Sequence, residues 1–328
     1  MIELQKSKDA KMKKILFLLL LGFNSLIYAQ EFHVLKGDYL GQIPPIDTPM
    51  VFVRGIVSTV DKSHSAPAFS PDGKEVFWWL NRRSGGGVMM TMRRIGGTWT
   101  APTVAPYGGA PFFSADGKRL YFEVSRPTSD GKGEGPYYVE KQDNSWSEQK
   151  CIGLVARFPE LKFAYNLSFT QNGTLYFLGY AGGLGLLNNF GIYRTEFIKG
   201  EYAKPELLPS SINAPGGIRN WTPFIAPDES YLIFSSTRGN QTNDEGDLYV
   251  CFHKQDGSWT EPVSLGEPIN SNQLERFPAV SPDGKYLFFT RDTPGYDEDV
   301  YWVSAGIIDK LKAEALSQPQ RMHDKESK

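Results

Sequence analysis

The side chains best suited to recognition or catalysis in this sequence are His64, Glu160, Arg219, Asn220, Trp221, Glu275 and Arg276. Arginine and asparagine donate hydrogen bonds to the hydroxyls and carboxylates of a ligand, and an indole offers a flat face on which a sugar ring can stack. Glu160 and Glu275 could serve as an acid–base pair on a glycosidic bond, provided the fold sets them roughly 5–9 Å apart. Metal and nucleophilic chemistry have less to draw on. The four histidines, His33, His64, His253 and His323, are scattered. No His-x-x-x-His, His-Glu-x-x-His or Gly-x-Ser-x-Gly arrangement occurs, and no glycine-rich loop has the strand-to-helix setting that a phosphate needs. Asn243-Asp-Glu-Gly-Asp247 has the look of a calcium loop but lacks the acid at its twelfth position. No metal and no cofactor is therefore expected.

These residues are positioned by a tandem repeat. Its mark is a turn, Ser-Pro-Asp-Gly-Lys in its fullest form, whose acid or amide falls at Asp72, Asp116, Asn172, Asp228 and Asp283. The spacings are 44, 56, 56 and 55 residues, the length of one four-stranded propeller blade with variable loops. Proline fixes φ, the acid bonds the backbone ahead, and glycine accepts the positive φ that closes the hairpin. A local capping role thus suffices for the turn acids. Each turn leads into an aromatic-rich strand, such as Val76-Phe-Trp-Trp79 or Tyr286-Leu-Phe-Phe289. A third strand is centred on Met90, Tyr138, Tyr193, Tyr249 and Tyr301, and a fourth is expected to begin near Trp99, Trp146, Tyr202 and Trp259. The fifth unit lacks its fourth strand. Residues 48–53 resemble the missing piece, so an N-terminal strand is expected to complete the last blade and close the ring.

The predicted fold is all-β, a five-bladed β-propeller closed by an N-terminal strand, with a short C-terminal helix near Ile307–Leu316. Six blades is the alternative count, although residues 31–50 are too few to supply four strands. The boundaries read as a signal peptide at 1–29, an N-terminal extension at 30–50, a single propeller domain at 51–308 and a helical, polar tail at 309–328. Lys11, Lys13 and Lys14 before the apolar run Ile15–Gly22, with Ala29 at the cleavage point, form the signal. Periplasmic or secreted localisation follows, with no transmembrane segment after cleavage and a monomeric state. The mature chain has 30 basic and 35 acidic residues, which does not favour nucleic acid as a partner. Cys151 and Cys251 fall in non-neighbouring repeats and read as two free thiols.

The segments Ala66-Pro-Ala-Phe-Ser-Pro-Asp-Gly-Lys74 and Phe277-Pro-Ala-Val-Ser-Pro-Asp-Gly-Lys285, with their kin in between, resemble the WD40-like propeller repeats of bacterial envelope proteins of the TolB type. The resemblance spans residues 66–304 and extends to secreted members from Bacteroidetes-type bacteria. It implies a propeller that acts as an interaction scaffold, a module beside peptidase or peptidoglycan-binding domains, or a polysaccharide-active enzyme. The leading expectation is a noncatalytic exported module that binds an envelope protein or glycan at one mouth of the channel. A carbohydrate-active hydrolase or lyase using mouth carboxylates is the alternative. The mouth is where inner-strand entrances from every blade converge, which is why His64, Arg219, Asn220, Trp221, Glu275 and Arg276 are the expected ligand contacts, with Glu160 beside them.

Overall fold

The computed structural model describes residues 34–63, 65–124, 134–143, 145–181, 190–239, 246–293 and 297–317. The stretch expected to be a signal peptide, His64 and the polar end of the tail lie outside them. The chain divides into two units, Met1–Leu35 and Lys36–Lys328, and the second carries every element described below.

Five antiparallel sheets succeed one another along the chain, one for each turn motif. In blade 4 the strands are Asn220–Ile225, Tyr231–Ser236, Asp247–Phe252 and Val263–Ser264, paired in chain order. Blade 5 runs Glu275–Val280, Tyr286–Thr293 and Asp297–Ser304, and its outer strand is Met50–Val51. Met50 pairs with Trp302 and Val51 with Tyr301, so the strand from the start of the chain completes the last blade. The seam is packed by aromatic rings. Phe52 is fully buried and meets Phe69 of blade 1 and Phe288 and Trp302 of blade 5 at 5.1–6.1 Å. Tyr39 reaches the same cluster and donates its hydroxyl to Asp283 at 2.7 Å.

The repeated turns are built as their composition requires. The Ser70 hydroxyl donates to Asp72 at 2.6 Å, and the Lys74 amide donates to the same carboxylate at 3.1 Å. Ser114 and Asp116, and Ser281 and Asp283, repeat the bond at 2.7 Å each, while in blade 4, where Ala226 takes the serine position, Ser230 on the other side of the turn donates to Asp228 at 2.7 Å. Asn172 substitutes with its amide oxygen, which accepts from Thr170 and from the Thr174 amide.

One detail departs from the sequence reading. Trp99, Trp146 and Tyr202 do not open the fourth strand; they sit in a short hairpin at the end of the third. The outer strands follow four or five residues later, at Thr103–Val104, Lys150–Cys151 and Glu206–Leu207. The aromatic at the hairpin packs back over a blade seam, as Trp146 does against Phe77 of blade 1 and Phe113 of blade 2. The C-terminal helix is found where the sequence placed it, at Gly306–Ser317, and Ile308 and Leu311 are buried with Phe252, Leu287 and Val303. It is thus part of the core of blades 4 and 5. Among the described residues no helix is long and apolar enough to cross a membrane. Cys151 and Cys251 are not joined by a disulfide.

Candidate functional site

Two cavities meet inside the ring. One, of about 730 Å³, opens where the innermost strands begin; the other, of about 350 Å³, lies toward the repeated turns. Both are walled by Ala110, Asn166, Thr222 and Phe277. Each of these stands six residues before its turn acid, so they mark one level of the channel, with Ala66 their counterpart in blade 1. At that level the inner strands of blades 3, 4 and 5 bulge, and Asn166, Thr222 and Phe277 adopt φ of 53°, 49° and 50°. Left-handed backbone at a branched threonine and a phenylalanine is uncommon and re-aims the flanking side chains into the channel.

The larger cavity is a polar and aromatic mouth. Because side chains alternate along a strand, Arg219 and Trp221 line it while Asn220 between them turns into the blade. Asn220 is 2% exposed and accepts from Arg238 at 3.2 Å. The same alternation puts Leu274 and Arg276 on the wall and buries Glu275 between them, where it is fully enclosed and pairs with Arg291 at 2.7 Å. Arg238 and Arg291 play matching parts. Each also binds carbonyls of the preceding loop, Ser211 and Ile212 for the first and Pro268 and Ile269 for the second. Asn220 and Glu275 therefore tie inner strands to loops behind them. Glu160 is exposed, paired with Lys204 at 3.5 Å, and is not among the cavity walls. Of the seven residues expected from sequence, Arg219, Trp221 and Arg276 come together on this wall.

The rest of the wall comes from strand ends that the repeat analysis did not single out. Trp79 and Asn81 end the second strand of blade 1, and the Trp79 indole donates to Asn81 at 3.1 Å. Gly87 makes room for that ring, since a β-carbon there would overlap it; Gly246 lies likewise against Trp221. Glu123, near the end of Arg119–Val124, is the only carboxylate among the described wall residues. Its carboxylate accepts from the Asn166 amide. Burial pushes the carboxyl up to about 7, against the Asn166, Leu167 and Ala110 amides, which favour the charged form. Tyr165 stacks on Phe163 at 5.1 Å, and burial, then the Glu134 and Glu123 carboxylates, raise its hydroxyl. Arg219 lies 5.5 Å over the Trp221 ring. Arg276 binds Asp292 and Glu298, each at 3.1 Å, while its Nε is buried with no acceptor.

A signal for these residues was present. Seven positions after the turn acid the apolar second strand breaks, giving Trp79, Glu123, Gly179, Ser235 and Thr290. Trp79 and Glu123 line the mouth, while Ser235 and Thr290 bond the inner strands at Thr222 and Arg276.

The smaller cavity is walled largely by alanine, proline and phenylalanine, with no charged side chain among its described residues. Among the described residues no cluster of three or more metal-ligating side chains forms.

Comparison with known proteins returned no matching family model and no matching curated protein. Solved structures do match. The chain is similar to a putative TolB from Agrobacterium tumefaciens, at 19% identity and TM-score 0.44 over 73% of this chain and 76% of that one. It is similar to a thermostable family-43 glycoside hydrolase, at 16% and 0.43 over 76% and 89%. It also matches a puromycin-hydrolysing peptidase from Mycobacterium tuberculosis, at 15% and 0.39, covering 80% of this chain but only 39% of that one. The five-bladed assignment stands on the strand pairing of the chain itself.

Proposed function

We propose that the protein is an exported, noncatalytic propeller that binds a glycan of the cell envelope through the polar mouth of its channel. The observation that carries this reading is the convergence of two indole rings, Trp79 and Trp221, with Asn81, Tyr165, Arg219 and Arg276 on one 730 Å³ cavity. Aromatic faces beside planar hydrogen-bonding groups suit the alternating apolar and hydroxyl surfaces of a sugar. The exported state rests on the sequence of residues 1–29. A glycan array probed with the mature chain, followed by calorimetry on the best hits, tests the reading. Trp221→Ala is expected to weaken binding at least about tenfold; a folded Trp221→Ala protein with unchanged affinity for every hit would sink it.

One observation favours hydrolysis instead, the Glu123 carboxyl raised to about 7 at the cavity wall. A glycosidase needs a second carboxylate across the bond, and Glu123 already holds backbone amides of two blades. Binding is the better-supported activity. Measurable turnover of p-nitrophenyl glycosides that disappears in Glu123→Gln would reverse that order.

A further inference from the structure

The two cavities share walls yet differ in chemistry. The mouth carries two guanidiniums, a carboxyl and two indoles, whereas the inner cavity has no charged wall residue and is faced by Phe69, Phe112, Phe224 and the prolines that precede them. They share a waist of Ala110, Asn166, Thr222 and Phe277, and Ala66, the counterpart in blade 1, walls the inner cavity at the same level. The two smallest of these, Ala66 and Ala110, come from adjacent blades, so the waist is least filled on the side of blades 1 and 2. Both cavities fall in or near the size range of small-molecule sites, about 300–1,000 Å³. The inner cavity is apolar along its length and reaches the exposed turn residues Pro71, Ala115, Pro227 and Pro282 at its far end; an apolar lining behind a polar entrance is what an aliphatic tail requires when its head is held in water-accessible groups.

We infer that the channel is one two-chambered site for an amphipathic ligand, a saccharide head in the mouth and an aliphatic tail passing the alanine side of the waist into the inner cavity. The inference deepens the glycan reading and rests on it. The head would stack between Trp79 and Trp221, and the tail would lie against Phe112 and Phe224. The left-handed backbone at Asn166, Thr222 and Phe277 sets the bore of the waist, since these residues turn their neighbours around the level where head and tail join.

Alkyl glycosides separate the two claims. Calorimetry on the mature chain would compare methyl, hexyl and octyl β-D-glucosides and the corresponding maltosides, each kept below its micelle-forming concentration, with octanol as a tail lacking a head. Affinity is expected to rise by up to roughly fourfold for each methylene added, as burial of apolar surface dictates. Ala66→Leu, which fills the open side of the waist from a residue that walls the inner cavity alone, is expected to leave the methyl glycoside unchanged and to abolish the gain from hexyl to octyl. Phe277→Ala alters the same level without narrowing it and is expected to keep the gain, which distinguishes plugging from misfolding; thermal melts of both variants accompany the titrations. Equal affinity for methyl and octyl glycosides overturns the two-chambered site and leaves glycan binding standing. A gain that survives in Ala66→Leu overturns it as well. Failure of every glycoside to bind overturns both.

Discussion

Trp79 and Trp221 reach the same cavity from different blades by different routes, one from the end of a second strand and one from the start of an innermost strand. The Trp79 ring depends on a glycine opposite it. Gly87→Ala is expected to displace the Trp79 indole and weaken glycan binding to a degree comparable with Trp79→Ala, measurable by calorimetry, with little change in melting temperature because Gly87 is exposed. Glu123 gives a prediction in pH. Its folded-state carboxyl, at about 7, lies above the unfolded value of about 4.3. The group therefore contributes stability below the unfolded value, and that contribution is lost as pH rises through 7. Wild type should lose stability relative to Glu123→Gln between about pH 4 and pH 7, and denaturant melts across that range check it.

At the scale of the element, the turn governs. The Ser114 hydroxyl, and after it the Lys118 amide and charge, hold Asp116 below the usual carboxylate range. In Asp72, Asp228 and Asp283 burial acts first and in the opposite sense, yet the serine, the backbone amides and nearby lysines outweigh it. Depressed carboxylates contribute stability above their unfolded value, near 3.9, and lose it as pH falls through the folded one. Acid unfolding should thus set in below about pH 4, and Asp116→Ala should cost about 1 kcal/mol at neutral pH while flattening part of that acid limb, read by urea melts. The turn and the second strand were legible in the sequence because both obey local rules, a fixed φ at proline and an acid that bonds ahead. The outer strands were misplaced for the opposite reason. At Trp99 and Trp146 the aromatic closes a hairpin and packs over a seam, a tertiary role that a linear pattern does not separate from strand membership. Asn220 and Glu275 were read as mouth residues because they precede the repeat. Strand alternation turns them inward to Arg238 and Arg291, and only the neighbours at 219, 221, 274 and 276 face the channel.

At the scale of the whole molecule, closure is the feature that most needs testing. The Phe52 amide donates to Val300 at 2.7 Å, and the Ser58 hydroxyl accepts from the Val300 amide at 3.0 Å. Phe52→Ala removes the ring that joins blades 5 and 1 and should cost about 3–5 kcal/mol, measured as a shift in denaturant midpoint. A mutant of unchanged stability would show that the seam is held elsewhere. That the ring closes with this strand was legible from the missing fourth strand of the fifth unit. The channel walls were less so, because they are assembled from single residues of all five blades rather than from any one motif.

Closure also dictates an order of events. The strand at Met50–Val51 pairs with residues about 250 positions away, at Tyr301 and Trp302. A chain synthesised from its N-terminus delivers this strand first and its partner last. Until then Met50 and Phe52 lack their mates, and the edge of the final blade has no cover. Long-range pairing of this kind is slow to nucleate and leaves sticky edges exposed in the interval. A holdase that covers the early strand and the open edge until they meet would thus raise the yield of this protein.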